Sequence, residues 1–385
     1  MKILFTGGGT GGHILPIIAL TREIRAQADL PAEASAKEGD TPLEFFYMGP
    51  KDEFSEMLSS QEGIKTYHIF SGKIRRYEFL KSLPKNLLDV FVKVPLGIIQ
   101  AFFRIFFLGP DIIFSKGGYG SVPSTIAGWI LRVPIILHES DIVPGMANKI
   151  VARFASEIFV SFPNTKEFPK NKVVEVGNPI RKDILTGSKE EAKRLFNLQG
   201  TKPVLLLLGG SQGAQRVNDM LLVILDEALK DYEIIHQTGE KNFSQVKAEA
   251  EVIVAKERRG LYHPFAFLKE TELRHMYAAT DLIISRAGSG SVFEIAALGK
   301  PSILIPLPES AQNHQIENAY AYQKTGACIV LEENNLTPHF FLERVHSLFA
   351  NKAELQKMSE AAKNFAKPEA GRVIAKYIIE SLSIS

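Results

Sequence analysis

Apolar residues in this chain come in short unbroken runs, each followed by a longer stretch in which they recur at helical spacing. Runs at 3–5, 44–47, 112–114, 135–137 and 158–160 predict five strands in the first half. After a polar stretch, runs at 204–208, 233–236, 282–285 and 302–305 predict four more. Continuous apolar strands alternating with helices indicate parallel sheets covered on both faces, so the expected class is α/β, with two doubly wound units. The segment SFPNTKEFPKNKVVEVGNPIRKDILTGSKEEAKR holds three prolines, many charges and little apolar periodicity before Leu195. A boundary is expected there, giving domains 1–163 and 164–365, with a terminal helix at about 366–385 packing back onto the first.

Residues 86–109, NLLDVFVKVPLGIIQAFFRIFFLG, form the most apolar stretch. Lys93 and Arg104 interrupt it, leaving a charge-free window well short of the roughly 20 residues a spanning helix needs. Leu96, Ile99, Phe103 and Phe106 fall at helical spacing, which predicts a buried crossover helix rather than a membrane span. The first apolar run, at 3–5, is too short for a signal peptide.

Composition narrows the functions. A chain of 385 residues with 45% hydrophobic and 23% charged content has the size for two domain cores. A formal net charge of +2 gives no overall electrostatic case for nucleic acid. The single cysteine, Cys328, permits no internal disulfide and fits a reducing compartment. No Asp-x-Asp occurs and no His/Asp/Glu set clusters in sequence, so no metal is expected.

Three strand–glycine–helix junctions stand out, at 7–12, 209–213 and 288–290. Ligands of open α/β sheets bind at the carboxyl ends of strands, where such junctions lie, and two facing units would form a cleft. Gly7-x-Gly9-x-x-Gly12 satisfies the dinucleotide pattern, but the second predicted strand exits through Met48-Gly49-Pro50 without the acidic residue that would hold a ribose. A Walker-type loop is excluded because no Gly-Lys-Ser/Thr follows any of the glycine runs. A sugar nucleotide or similar diphosphate remains.

Seven motifs in order then carry a family resemblance: GGGTGGH at the start, SKGGYGSVP at 115–123, HESDIVPGMANK at 138–149, VGNPIRKD at 176–183, GGSQGAQRVN at 209–218, RAGSGSVFEI at 286–295 and HQIENA at 314–319. The chain resembles the MurG family, the UDP-N-acetylglucosamine:lipid I N-acetylglucosaminyltransferases of bacterial peptidoglycan synthesis. The resemblance implies a GT-B architecture and inverting transfer of GlcNAc from UDP-GlcNAc to the MurNAc 4-hydroxyl of lipid I, giving lipid II. It implies no cofactor, a location on the cytoplasmic face of the bacterial membrane, and cell-wall synthesis or division proteins as partners. A related transferase acting on another lipid such as diacylglycerol, and a non-catalytic sugar-nucleotide binder, are the alternatives.

By resemblance, Thr10, Gly11 and Gly12 contact the donor, with glycine backbone at a helix N-terminus suited to an anionic ligand. His13, ahead of a helix expected to begin around Pro16, is the candidate base for the acceptor hydroxyl; N-terminal capping or packing is the alternative. Arg181 has the fork geometry to pair with diphosphate oxygens and stabilise departing UDP. Ser211 reads as a diphosphate contact or an N-cap. Glu294 is implied to hold the UDP ribose, although Ser291-x-x-Glu294 also spells a capping box. Gln315 is implied to contact the GlcNAc hydroxyls. Leu268 is the best match to the apolar position beside uracil, though its local spacing departs from the family's. Asp141 departs more plainly: the family commonly reads HEQN where this chain reads His138-Glu139-Ser140-Asp141. An ionised carboxylate accepts hydrogen bonds without donating. The contact either survives with altered polarity or Asp141 shares in base chemistry with His13. Finally Lys73, Ile74, Arg75, Arg76, Phe79 and Leu80 interleave basic and apolar residues as a patch for an anionic membrane surface would, or as a solvated helix face would.

Overall fold

The computed structural model describes residues 1–8, 11–28, 43–75, 79–165, 167–209 and 214–383. Two compact units divide it: Met1–Arg181 with Lys367–Ser385, and Lys182–Ala366.

In the first unit, β1 (Lys2–Gly7), α1 (Gly11–Gln27), β2 (Glu44–Gly49), α2 (Glu53–Gln61) and β3 (Lys65–His68) make one half. The other half runs α3 (Phe79–Leu88), a π-helical turn at Asp89–Lys93, α4 (Val94–Leu108), β4 (Ile112–Gly117), α5 (Val122–Ile130), β5 (Ile135–Glu139), α6 (Met146–Val151), β6 (Glu157–Val160) and β7 (Val173–Glu175). The second unit runs α7 (Lys189–Phe196), β8 (Val204–Leu208), α8 (Gln215–Ala228), β9 (Glu233–Gln237), α9 (Phe243–Ile253), β10 (Tyr262–Phe265) and α10 (Glu270–Ala279). It continues through β11 (Leu282–Ser285), α11 (Ser289–Leu298), β12 (Ser302–Leu304), α12 (His314–Gln323), β13 (Cys328–Val330), α13 (Pro338–Ala350) and α14 (Lys352–Phe365). The last helix, α15 (Ala370–Ser383), returns to the first unit, where Ile374, Ala375 and Ile378 join the core beside α1.

Both sheets are parallel, in the orders β3-β2-β1-β4-β5-β6-β7 and β10-β9-β8-β11-β12-β13. Strand order reverses between β1 and β4 in the first and between β8 and β11 in the second, and such switch points open a crevice at the strands' carboxyl ends. Alternation sorts β1 onto two buried faces. Ile3 and Phe5 pack with α1 and α15, while Leu4 packs with Ala101, Ile105 and Ala127 of α4 and α5.

All nine expected strands form. The four that the apolar runs did not reveal, β3, β7, β10 and β13, are the edges of the sheets, where one side is solvated and the run is broken. Strand β7 also moves the boundary. It adds beside β6, Val176 and Ile180 bury behind it, and the units part at Arg181 rather than at 163.

The crossover helix departs from expectation. Its buried stripe is Gly97, Ala101 and Ile105, and the two small residues let α4 sit close to the loop after β3 and to α5. A β-carbon at Gly97 would lie 1.9 Å from the Phe70 carbonyl oxygen. The large residues expected inside, Leu96, Ile99, Phe103 and Phe106, are 45–62% exposed, and Phe107 is 80% exposed. Periodicity chose the wrong face because both faces are apolar. Helical structure over Ser82–Leu108 is long and apolar enough to cross a bilayer by length and composition. Its small-residue stripe, however, is packed into the sheet's core.

Candidate functional site

In the first unit the loops after β1 and β4 meet on the imidazole of His13. A β-carbon added at Gly118 would lie 2.8 Å from His13 Nε2, and one at Gly8 would lie 3.2 Å from Cε1. Gly117 and Gly118 have φ of +83° and +79°, so these positions favour glycine on two counts. Helix α1 starts at Gly11, so Pro16 sits inside it rather than at its first position. The helix therefore opens on bare glycine backbone, with Gly12 exposed. Its first-turn amides lack intrahelical acceptors, the usual basis of an anion site. Thr10 lies outside the described residues.

Behind His13, Glu139 ends β5 as a buried carboxylate. It accepts hydrogen bonds from the Asp141 amide (3.0 Å), the Gly145 amide (3.3 Å) and Asn148 Nδ2 (2.7 Å). Asn148 Oδ1 accepts in turn from the Gly118 amide at 3.0 Å, tying the Asp141 loop to the glycine loop after β4. Burial, then the neighbouring Asp141, push the Glu139 carboxyl up to about 7. Lys116 and His138 complete this buried cluster. Burial draws the lysine down to about 8, and burial with the adjacent ammonium keeps His138 neutral, well below its usual value. Arg181 closes the first unit and is 9% exposed. The cluster Lys116–His138–Asn178 was missed in the sequence; the only trace of it was lysine at the end of an apolar strand.

In the second unit, Ser211 falls outside the described residues. The other switch-point loop, after β11, leads into α11, whose N-cap is Gly288. β-carbons at Gly288 and Gly290 would meet nothing within 4 Å, so packing does not demand glycine there and the helix N-terminus has open space before it. Ser291 is the third residue of α11, not its cap, and Glu294 lies in the second turn. The capping-box reading of Glu294 therefore fails. Its carboxylate is 9% exposed and accepts from the Tyr277 hydroxyl at 3.3 Å. Gln315, in the first turn of α12, accepts at Oε1 from the Leu307 amide at 3.0 Å, while its backbone N–H donates to Ser310 Oγ at 3.3 Å. Asn318 donates to the Ala287 carbonyl at 3.2 Å, joining α12 to the loop before α11. Arg286 donates to the Ile305 carbonyl at 3.1 Å and pairs with Glu333, bracing the loop after β12. Leu268 is 2% exposed, with its amide donating to Gln237 Oε1 at 3.2 Å; the exposed apolar neighbour is Phe267.

The membrane patch is split. Arg76 and the side chains of Phe79 and Leu80 lie outside the described residues. Arg75 is spent on buried Asp89 at 2.8 Å, which Lys93 also meets at 2.6 Å. Lys73 sits 5.9 Å from the Tyr119 ring centroid, and Ile74 is 45% exposed. Among the described residues no three His, Cys, Asp or Glu gather as a metal set.

Two parallel sheets with loops of this kind at their switch points are the GT-B architecture, and the chain matches the glycosyltransferase family 28 N-terminal domain over residues 3–160 and the C-terminal domain over 204–373. A curated relative from Bacillus cereus, a UDP-N-acetylglucosamine–N-acetylmuramyl-(pentapeptide) pyrophosphoryl-undecaprenol N-acetylglucosamine transferase, is 38% identical over 99% of both chains. One from Clostridium tetani with that name is 38% identical over 92% of both. The crystal structure of Acinetobacter baumannii MurG covers 98% of this chain and 99% of its own, with a TM-score of 0.73 and 24% identity. The chain belongs to the MurG family of UDP-GlcNAc-dependent glycosyltransferases.

Proposed function

We propose that this chain transfers GlcNAc from UDP-GlcNAc to the MurNAc 4-hydroxyl of lipid I, with inversion, producing lipid II. The observation that carries the reading is the identity with relatives of that activity along nearly the whole chain, with family motifs on the loops at both switch points. The second unit holds the donor. The α11 N-terminus faces the diphosphate, Glu294 the ribose and Gln315 the sugar hydroxyls. The first unit receives the acceptor, with His13 taking the hydroxyl proton and Asp141 beside the site. Arg181 and the opening amides of α1 carry charge on the leaving UDP. The relatives described above support neither a diacylglycerol acceptor nor binding without catalysis.

The acceptor's lipid brings the enzyme to the cytoplasmic face of the membrane, as a peripheral protein. The surface for it is the exposed side of α4, with Ile99, Phe103, Phe106 and Phe107, together with Phe91 of the π-helical turn before it, more than the basic segment at 73–76. Arg104 on the same helix supplies charge toward anionic headgroups. Transfer of radiolabelled GlcNAc to a short-chain lipid I analogue tests the reaction. Turnover with a diacylglycerol acceptor and none with the analogue would reverse the choice.

A further inference from the structure

Lys116 is the next-to-last residue of β4 and is 2% exposed. A lysine ammonium has three protons to donate and is costly to bury unless they are all taken up. Here it lies 2.8 Å from His138 Nδ1, bonds to Ser140 Oγ, and lies 3.4 Å from Asn178 Oδ1. His138 Nε2 is 2.9 Å from the Gly177 carbonyl, which fixes the ring proton on Nε2 and leaves Nδ1 to accept from the ammonium. One side chain thus joins the ends of β4 and β5 to the segment after β7. The residue after Ser140 is Asp141, and Arg181 stands three positions beyond Asn178. The same loop already holds buried Glu139, bonded to the Asp141 amide. An aspartate in place of the family's common asparagine adds a second carboxylate beside the first. Like charges this close need a cation, or one of them takes up a proton.

We propose that Lys116 is a positioning residue for the transfer reaction: it is the counter-charge that lets this chain carry Asp141, and through Ser140 and Asn178 it sets the two segments that bear Asp141 and Arg181. The inference rests on the function proposed above. It deepens that reading by naming what pays for the aspartate.

Four variants test it: Lys116→Met, Lys116→Gln, Asp141→Asn, and Lys116→Met combined with Asp141→Asn. Lys116→Met and Lys116→Gln each lower kcat with the soluble acceptor about tenfold or more, with the UDP-GlcNAc dissociation constant changed less than twofold. Glutamine fails like methionine because it restores a donor without restoring charge. The double variant is slower than Asp141→Asn by a smaller factor than Lys116→Met is slower than wild type, because the counter-charge role is gone while the hold on Asn178 is still lost. Full activity in Lys116→Gln, or simple additivity in the double, overturns the proposal. Urea unfolding of the same four proteins reads the coupling without any turnover. The midpoint lost by the double is smaller than the sum of the single losses; additive midpoints overturn the pairing. Should a Lys116 single variant fail to fold, recovery of folding in the double supports the pairing and failure of both refutes it. A wild-type chain that does not transfer GlcNAc counts against the proposed function, while the unfolding cycle still decides the pairing.

Discussion

Each unit buries a histidine near the carboxyl end of a strand, but the company each keeps is different. In the second unit His236 is held by neutral groups alone, Tyr262 Oη at 2.9 Å from Nδ1 and Asn218 Oδ1 at 3.0 Å from Nε2, with Asn218 passing the chain on to the Thr238 carbonyl. In the first unit His138 stands against the Lys116 ammonium, next to Glu139. A fully satisfied neutral network rigidifies a scaffold at little electrostatic cost. A buried charged cluster is expensive and is rarely kept for stability. The contrast accords with the division of labour proposed above, in which the second unit holds the donor and the first unit handles the acceptor's proton.

The largest break in that comparison comes from His13→Ala. Turnover should fall roughly 10²- to 10⁴-fold, the range for a lost general base, with the donor dissociation constant nearly unchanged. Near-normal kcat would make His13 a packing residue between Gly8 and Gly118 and move the base to Asp141.

Glu294→Gln is the mirror experiment in the second unit. A lost hydrogen bond to a charged group is worth about 1.5–3 kcal/mol, so UDP-GlcNAc should bind roughly 10- to 100-fold more weakly in calorimetry. The melting temperature should hardly move, since Glu294 caps no helix. Unchanged affinity with a lower melting temperature would remove the ribose contact.

The exposed face of α4 belongs to the first unit. Replacing Phe106 and Phe107 with serine should lower partition onto anionic vesicles by about tenfold or more, at about 1.5–3 kcal/mol for each phenylalanine fully buried. Transfer to a soluble acceptor should stay as it was. Equal vesicle binding by wild type and variant would leave that face without a role at the membrane.

How much of this was legible in the sequence differs between the units' interiors and their rims. Interior strands announced themselves as unbroken apolar runs, and glycine loops marked both switch points. Edge strands such as Lys65–His68 did not, because half of each is solvated and the signal is diluted. The stripe of α4 was misread because burial there is chosen by smallness, at Gly97 and Ala101, and not by hydrophobicity. Glu294 was ambiguous until the start of α11 was known. The role of Lys116 could not be read beyond its place at the end of an apolar strand, since its partners lie on residues 138, 140 and 178, brought together only by the parallel sheet.

The smallest expected effect is also the most direct comparison of the two networks, and it is a slope. His236 is drawn down to about 3 by burial, while the unfolded chain takes up that proton near pH 6.5. A depressed histidine gives stability that is complete above pH 6.5 and is lost as pH falls from there toward 3. The limit is about 1.4 kcal/mol per pH unit for one proton. In the first unit His138 contributes the same sign. Glu139 opposes it: its carboxyl is raised from 4.5 to about 7, so the folded state keeps a proton that the unfolded chain releases. Stability from Glu139 is full below pH 4.5 and lost as pH rises through 7, so it offsets His138 between pH 4.5 and 6.5. Lys116, near 8, stays protonated throughout that window. Intrinsic-rate-corrected amide exchange should therefore show protection falling with pH faster in β8 and β9 than in β4 and β5. His236→Gln, whatever it does to absolute stability, should flatten the slope in the second unit by up to one proton. Equal slopes in both units, or a variant as steep as wild type, would mean that the histidines do not distinguish the two networks.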